Sequence, residues 1–267
     1  MSNLNEKIRL DGKRALVCGA SEGIGKSAAM SLAGQGASIL LLARSPDKLA
    51  KTLANLPAKQ GQNHAIVAAD LGDTQKLETD VTEMLRREPP VHILVNNSGG
   101  PAPGLITQAN QQDFADAFRQ HVIAAQVLSG VLLDGMRSAA YGRIINVIST
   151  SVKEPIAGLG VSNTVRGAMA SWAKTMAMEV GPDGITVNNV LPGYTRTGRL
   201  QPIFEARANR AGVDVAEIED QARMSVPARR FAEPDELGDV IAFLASSAAS
   251  YINGVNLPVD GGRTGSL

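Results

Sequence analysis

Three glycines of this 267-residue chain are spaced in a way that could bind a phosphate group. Gly19, Gly23 and Gly25 follow the apolar residues 15–18 and precede the amphipathic residues 26–32, an order that predicts a buried strand, a turn and a helix. Glycines there let a pyrophosphate approach the backbone, and the first N–H groups of the helix can bind its oxygens. The stretch therefore predicts dinucleotide binding. Because the spacing is G-x-x-x-G-x-G rather than G-x-G-x-x-G, a glycine-rich turn without a ligand stays open.

The end of the second apolar run, residues 37–42, bears on which dinucleotide is bound. An acidic residue at this position would hydrogen-bond the ribose hydroxyls and select NAD. Here the residues are Ala43 and Arg44, and a guanidinium can bind a 2′-phosphate through two parallel hydrogen bonds, which favours NADP over NAD. Two observations weaken this interpretation. Arg44 could be a solvated loop residue, and Glu22 adds negative charge beside the same phosphates.

Apolar and amphipathic segments alternate along the whole chain. The predicted strands are residues 15–18, 37–42, 65–69, 93–95, 143–147, 185–190 and 255–259. The predicted helices are residues 26–32, 46–60, 73–87, 110–137, 162–180 and 234–249. This alternation predicts one domain over residues 1–267, a Rossmann-type doubly wound parallel sheet with helices on both faces, in three αβα layers. Residues 198–225 are polar and weakly helical, and they are predicted to form a mobile lid over the substrate.

Small and polar residues follow five of the predicted strands. They are the glycine turn, residues 43–44, Asp70, Asn97 and Ser149. Because ligands of such sheets bind beyond the carboxyl ends of the strands, their coincidence predicts one cofactor cleft.

Composition excludes several other classes of partner. The 26 basic and 26 acidic residues balance, which argues against nucleic acid or an anionic membrane as a partner. Cys18 is the only cysteine, so an intrachain disulfide and a cysteine-based zinc site are excluded, and no metal site is predicted. The chain contains no apolar run of about 18 residues and no signal-peptide core at its beginning, so a cytoplasmic protein is expected.

Seven short motifs resemble those of the short-chain dehydrogenase/reductase family, in its order and over nearly the whole chain. They are C-G-A-S-E-G-I-G at 18–25, D-L at 70–71, N-N-S-G at 96–99, G-R-I-I-N-V-I-S at 142–149, P-G-Y-T-R-T at 192–197, R-F-A-E-P-D-E-L at 230–237 and V-D-G-G at 259–262. The resemblance implies a nicotinamide-dependent oxidoreductase with a small-molecule substrate, assembled as a homotetramer.

The resemblance also assigns cofactor contacts to matching positions. Those expected along the pyrophosphate are Gly19, Ser21, Glu22, Gly23, Ile24 and Gly25. Asp70 and Leu71 would meet the adenine. Those expected along the adenosine and nicotinamide are Asn97, Ser98, Gly99, Pro192, Gly193 and Thr197. Taken alone, Asp70 could instead cap a helix, and residues 96–99 could be a plain turn.

The catalytic positions depart from the family pattern. A family member carries Tyr-x-x-x-Lys beginning thirteen residues after a catalytic serine, which Ser149 matches, but here the Tyr and Lys positions are Ser162 and Arg166. The family's asparagine on the preceding long helix is replaced by His121. The flanking residues resemble a subgroup of proteins similar to β-ketoacyl-carrier-protein reductases that lacks the usual tetrad.

These substitutions change the source of the proton that ketone reduction requires. A serine hydroxyl is a much weaker acid than a phenol, and an arginine stays protonated, although Arg166 could bind the nicotinamide ribose and stabilise an oxyanion. Substitute donors would be Tyr194, His121, which in its unperturbed form titrates near neutral pH, or a water held by Ser162 and Arg166.

Two functional hypotheses follow, and a third is less well supported. The first is an NADP-dependent oxidoreductase acting on a carbonyl/alcohol pair, with a 3-oxoacyl thioester as one candidate substrate. The alternative is a non-catalytic cofactor sensor or scaffold on the same fold. A lyase or isomerase would also fit the cleft, but the sequence offers no dedicated acid–base pair for it.

Overall fold

A parallel sheet forms the middle of the molecule. The computed structural model describes residues 3–58 and 61–266. Its strands are β1 Arg14–Cys18, β2 Ser38–Ala43, β3 Ala65–Ala68, β4 Ile93–Asn96, β5 Gly142–Val147, β6 Ile185–Pro192 and β7 Asn256–Val259. They are all parallel, and their order is β3-β2-β1-β4-β5-β6-β7. The predicted doubly wound sheet is thus confirmed.

Helices cover both faces of this sheet. They are α1 Leu4–Lys7, α2 Gly23–Gly34, α3 Pro46–Leu53, α4 Thr74–Leu85, α5 Gln111–Phe118, α6 Ala124–Ser138, α7 Gly160–Val180, α8 Leu200–Ala211, α9 Val215–Met224 and α10 Pro234–Ala245. In the part of the chain that the structure describes, no helix is both long enough and apolar enough to cross a bilayer.

Side-chain alternation along the strands produces the three layers. In β1, Ala15 and Val17 join a buried cluster with α2 and α10, whereas Leu16 and Cys18 join a second cluster with α4, α6 and α7. Because every residue of β1 is buried, neither face of the strand meets water. Full burial of each large aliphatic side chain contributes about 1.5–3 kcal/mol to folding.

The third helix is shorter than the sequence predicts. Instead of running from residue 46 to 60, α3 ends at Leu53. Pro57 lies four residues beyond that end, and a proline disfavours helical backbone at the residue before it. The Asn55 amide donates to the Lys51 carbonyl (2.7 Å) and so satisfies one of the free carbonyls of the last turn. The predicted end at Gln60 lies outside the described residues.

The predicted long helix at 110–137 contains a wider turn. Asn110 and Asp113 form a capping box at its start, and α5 continues through a π-helical turn, Arg119–Ile123, into α6. π-turns inside α-helices are frequent at functional sites. His121 lies in this turn and is buried.

The segment predicted as a lid is more regular than expected. Residues 198–225 contain the two helices α8 and α9, and their apolar side chains take different places. Phe204 and Ile218 are buried against Phe231, whereas Met224 is exposed. Ile203 faces a cavity described below. Closure of this segment over a substrate stays a prediction.

Four asparagines occupy one level of the sheet. Asn96, Asn146, Asn189 and Asn256 are register partners in β4, β5, β6 and β7. Each side-chain amide donates to the next along this row, at 2.8, 2.8 and 2.7 Å. Asn146 and Asn189 are buried, so a register shift would leave buried amide groups without partners. This asparagine ladder therefore fixes the register of these four strands relative to one another.

Candidate functional site

The glycine turn is tightly packed against the end of β1. Gly19 has a left-handed φ of +61°, and a Cβ placed on Gly25 would lie 2.2 Å from the Gly19 carbonyl oxygen. The Asn97 amide donates to the Cys18 carbonyl at 3.2 Å and ties the end of β4 to this turn. Glycine at position 25 thus lets the first turn of α2 lie directly on the strand end.

This packing gives a prediction for the stability of the turn. Gly25→Ala should lower the free energy of unfolding by about 1–3 kcal/mol, because the methyl group overlaps backbone that cannot move freely. Gly34→Ala is the control on the same helix, since no atom lies within 4 Å of its Cβ position, and it should leave stability unchanged or raise it. Urea unfolding of both variants measures the difference. Equal stability of the two variants would contradict the close packing.

The first cavity lies over this turn and contains about 350 Å³. The predicted cofactor residues among its lining are Gly19, Ser21, Glu22, Gly23, Ile24, Arg44, Asp70, Leu71, Asn97, Ser98, Gly99 and Thr197. Gly25 lies beneath the turn rather than on the cavity wall. The Glu22 carboxylate precedes α2 but pairs with Lys48 Nζ at 3.0 Å instead of capping the helix. The first N–H groups of α2 are thereby left for an anion, which fits a dinucleotide pyrophosphate.

The end of the first cavity beyond β2 carries positive charge. Arg44 and Lys48 both line it, and Ser45 between them caps α3, with its hydroxyl accepting from the Lys48 N–H at 3.4 Å. Lys48 also neutralises Glu22, whose charge weakened the sequence argument for NADP. Sequence reasoning missed Lys48. One signal in the sequence could have indicated Lys48: it lies four residues after Arg44, in the first turn of the helix that follows.

Asp70 is held in a turn of its own. One of its carboxylate oxygens accepts from the Gly72 N–H at 2.8 Å, whereas Asp73 caps α4. The alternative interpretation of Asp70 as a helix cap is therefore wrong. Asp70 and Leu71 remain on the cavity wall, where an adenine contact stays a prediction.

The second cavity, of about 200 Å³, continues from the first. The two share Ile24, Asn97, Ser98, Thr197 and Arg199 as lining residues. The predicted residues that line only the second cavity are Ser149, Ser162, Arg166, Pro192 and Gly193. The structure thus brings the three predicted catalytic residues together at one end of a continuous cleft.

Helix α7 positions Ser162 and Arg166 one turn apart on the same face. Arg166 is only 7% exposed, and its Nη1 donates to the Val147 carbonyl at 3.1 Å. Burial, and then the nearby charge of Arg199, lowers the pKa of Arg166 to about 10, so the side chain stays charged at neutral pH. Ser149 lies two residues after β5, and its Oγ accepts from the Ser151 N–H at 3.0 Å. The site therefore combines two hydroxyls with a buried cation.

His121 is unsuited to donate a proton as an imidazolium. Its Nδ1 lies 2.5 Å from Ser98 Oγ, and its Nε2 is buried without a hydrogen-bond partner among the described residues. Burial, followed by the charges of Arg166 and Arg199, lowers the pKa of His121 to about 2. His121 is thus neutral at physiological pH, unlike an unperturbed histidine, which titrates near neutrality.

Tyr194 lines the second cavity beside Arg207 and Arg263, which the sequence did not indicate as site residues. Its hydroxyl accepts a hydrogen bond from Arg207 Nη1 at 2.9 Å, and its ring packs against Phe204 and Phe231. Arg207 lies on α8 and Arg263 follows β7, and both line the same cavity. No local pattern marks these arginines, because the fold brings them to the site from distant parts of the chain.

Known proteins resemble this chain over almost its full length. A family model described as enoyl-(acyl carrier protein) reductase matches residues 19–264. The NADPH-dependent reductase BacG of Bacillus subtilis (strain 168) is 30% identical over 263 residues, which cover 96% of this chain and 99% of that protein. The 3-oxoacyl-(acyl-carrier-protein) reductase FabG of Vibrio cholerae is 32% identical over 255 residues, or 96% and 98% of the two chains. The structure of L-sorbose reductase from Gluconobacter frateurii, complexed with NADPH and L-sorbose, has a TM-score of 0.90 at 32% identity and covers 98% and 100%.

Proposed function

Because the chain belongs to the short-chain dehydrogenase/reductase family, we propose that it is an NADP-dependent oxidoreductase acting on a carbonyl/alcohol pair. The observation that carries this proposal is the continuous cleft. Arg44 and Lys48 stand at one end, and Ser149, Ser162 and Arg166 stand at the other. When bound, the nicotinamide supplies or accepts the hydride. The NADPH dependence of BacG and the NADPH in the L-sorbose reductase complex support the choice of cofactor.

The side chains at the end of the cleft that holds Ser149, Ser162 and Arg166 have separate roles in the reaction. Ser149 donates a hydrogen bond to the carbonyl oxygen of the substrate, and Arg166 stabilises the negative charge that develops there as the carbonyl carbon gains the hydride. The oxygen must then gain one proton. Ser162 is much smaller than the tyrosine it replaces and leaves space for a water, which Ser162 and Arg166 would hold. This water would deliver that proton and regain one from solvent. Arg166 also binds the nicotinamide ribose.

The structure changes the ranking of the other two donors. The lowered pKa of His121 removes it as an acid at neutral pH. Tyr194 keeps its hydroxyl proton free because its oxygen accepts from Arg207, but it lies in the loop after β6 and not on α7, where the Tyr and Lys positions of the family lie. We therefore propose that the proton comes from the water held by Ser162 and Arg166. A 3-oxoacyl thioester stays one candidate substrate, supported by the likeness to FabG.

Cofactor binding gives the experiment that tests the proposal. Arg44→Ala and Lys48→Ala should each weaken NADPH binding about tenfold, since each removes one cation expected at the 2′-phosphate. NADH, which lacks that phosphate, should bind native protein and Arg44→Ala equally. Lys48→Ala should weaken NADH binding less than NADPH binding, because it also leaves the Glu22 carboxylate without its partner. Nicotinamide fluorescence measures the dissociation constants. Lys51→Ala is the control, because this exposed lysine of α3 does not line the cavity.

The outcome separates the proposal from its alternative. Absence of NADPH binding to native protein would contradict the proposal at its first step. Tight binding without oxidation of NADPH by any carbonyl compound in a broad panel would favour the sensor or scaffold, the interpretation motivated by the missing Tyr–Lys pair. Light scattering of the pure protein tests the homotetramer, and fractionation of cells tests the cytoplasmic location. The homotetramer stays a proposal drawn from the family, and the cytoplasmic location stays a proposal drawn from the sequence.

A further inference from the structure

The second cavity is strongly cationic. Arg166, Arg199, Arg207 and Arg263 line it, and none of its other described lining residues is acidic. Elsewhere the chain neutralises its arginines routinely, since eight of them lie within 4.0 Å of a carboxylate oxygen: Arg9, Arg14, Arg87, Arg119, Arg137, Arg196, Arg223 and Arg230. The described residues offer no such pair to the four cavity arginines. The positive charge of this cavity is thus not neutralised by a paired carboxylate among the described residues.

Arg166 and Arg199, the two inner arginines, already donate hydrogen bonds to the backbone. Arg166 donates to the Val147 carbonyl, and Arg199 donates to the carbonyls of Gly100 and Pro101 at 2.8 and 3.1 Å. Arg199 also lines both cavities, so it stands where cofactor and substrate would meet. These two cations serve the reacting end of the cleft.

Arg207 and Arg263, the two outer arginines, make fewer hydrogen bonds to the protein. Arg207 donates to the Tyr194 hydroxyl, and the Arg263 guanidinium carbon lies 4.8 Å from the centre of the Tyr194 ring. Both are only partly exposed, so water screens them less than a surface arginine. A guanidinium carries five N–H donors, and most of those on Arg207 and Arg263 are left for a ligand.

Two carboxylates stand nearby without pairing with these arginines. Asp260 accepts from the N–H groups of Gly262 and Thr264, at 3.0 and 2.8 Å. Glu154 lines an adjoining depression together with Arg207 and Arg263. Its Oε1 accepts from the N–H groups of Gly265 and Ser266, at 2.8 and 2.9 Å, and thereby holds the segment that follows Arg263. Glu154 therefore holds the backbone beside Arg263 without forming an ion pair with the Arg263 guanidinium.

We infer that the substrate is a small oxo acid, and its product the hydroxy acid, whose carboxylate is bound by Arg207 and Arg263 beside the Tyr194 hydroxyl. The inference rests on the proposed function, in that the ligand of this cavity is taken to be the substrate. Ile156, Leu159 and Ile203 supply an apolar wall for the carbon chain between the carboxylate and the reacting carbonyl. Paired guanidinium groups are well suited to a planar carboxylate.

Binding of matched acids and esters tests this inference. The probes are 2-, 4- and 5-oxohexanoate and their methyl esters, titrated by calorimetry into the protein with saturating NADP⁺ and without it. At least one acid should bind about tenfold or more tightly than its ester, because a charge-assisted contact is lost on esterification. Arg207→Gln and Arg263→Gln should each remove most of this preference and leave ester affinity unchanged.

Arg210→Gln is the matched control, since Arg210 lies one turn beyond Arg207 on α8 and does not line the cavity. It should keep the full preference for the acid, and all three variants should bind NADPH like native protein. Equal affinity for acids and esters, or a preference that survives both substitutions, would overturn the inference while leaving the proposed function standing. Failure to bind NADPH would contradict the proposed function, and the titration without NADP⁺ would still decide the anion site.

Discussion

Arg166→Met should lower kcat/KM by about 10²–10³ and at the same time make the folded protein more stable. The loss of activity follows from removing the cation that stabilises the developing oxyanion. The gain in stability follows from burial, because Arg166 is a charged side chain that is 7% exposed and lies more than 4.0 Å from every described carboxylate. Taking such a charge out of water costs several kcal/mol, so its removal should raise the free energy of unfolding by at least about 1 kcal/mol.

Steady-state kinetics and urea unfolding of the same variant measure both effects. Lys174→Met is the control, because Lys174 is an exposed cation two turns further along α7, and its loss should change neither quantity. Arg166→Lys keeps the charge without the guanidinium and should lose less activity than Arg166→Met. An Arg166→Met protein with native kcat/KM would remove Arg166 from the chemistry.

The double variant Ser162→Tyr/Arg166→Lys should raise the turnover of a neutral ketone by about 10²–10⁴, the usual contribution of a positioned acid. A phenol has a reference pKa of about 10, and a neighbouring ammonium brings it lower. Both positions line the cavity on one face of α7, so the new hydroxyl would enter the reacting end of the cleft. Oxidation of NADPH with methyl 5-oxohexanoate measures the gain, since this ester does not depend on the anion site.

The matched control differs from this variant by one hydroxyl. Ser162→Phe/Arg166→Lys fills the same space with the same ring but has no proton to donate, so it should show no gain. Equal rates for the tyrosine and phenylalanine variants, with NADPH binding intact in both, would show that residue 162 does not face the reacting oxygen. The comparison therefore separates an effect of acidity from an effect of volume.

Features that depend on neighbouring residues could be predicted from the sequence. The glycine turn after β1 and the polar residues after β2 to β5 are local patterns, and the structure gathers them along the two joined cavities as expected. The overlong prediction for α3 shows how one proline can outweigh a run of helix-forming residues. The π-turn at His121 has no sequence signal, because it depends on what the helix packs against.

Long-range features of the site could not be predicted. The charge of the second cavity is set by Arg199 and Arg207 from the segment after β6 and by Arg263 after β7, which approach Arg166 only in the folded chain. The neutral state of His121 likewise depends on burial and on two arginines remote in sequence. The residue types at the site could therefore be predicted from the sequence, whereas their electrostatic environment could be determined only from the three-dimensional structure.

The asparagine ladder has a consequence for how this fold can change its chemistry. Ser149, Gly193 and Arg263 follow rungs of the ladder at Asn146, Asn189 and Asn256 by three, four and seven residues. The ladder's hydrogen bonds involve none of the cavity-facing side chains of α7. Scaffold and reactive groups are thus specified by separate sets of residues. A lineage could exchange Tyr–Lys for Ser–Arg, and with it the preferred substrate, while the sheet kept its alignment.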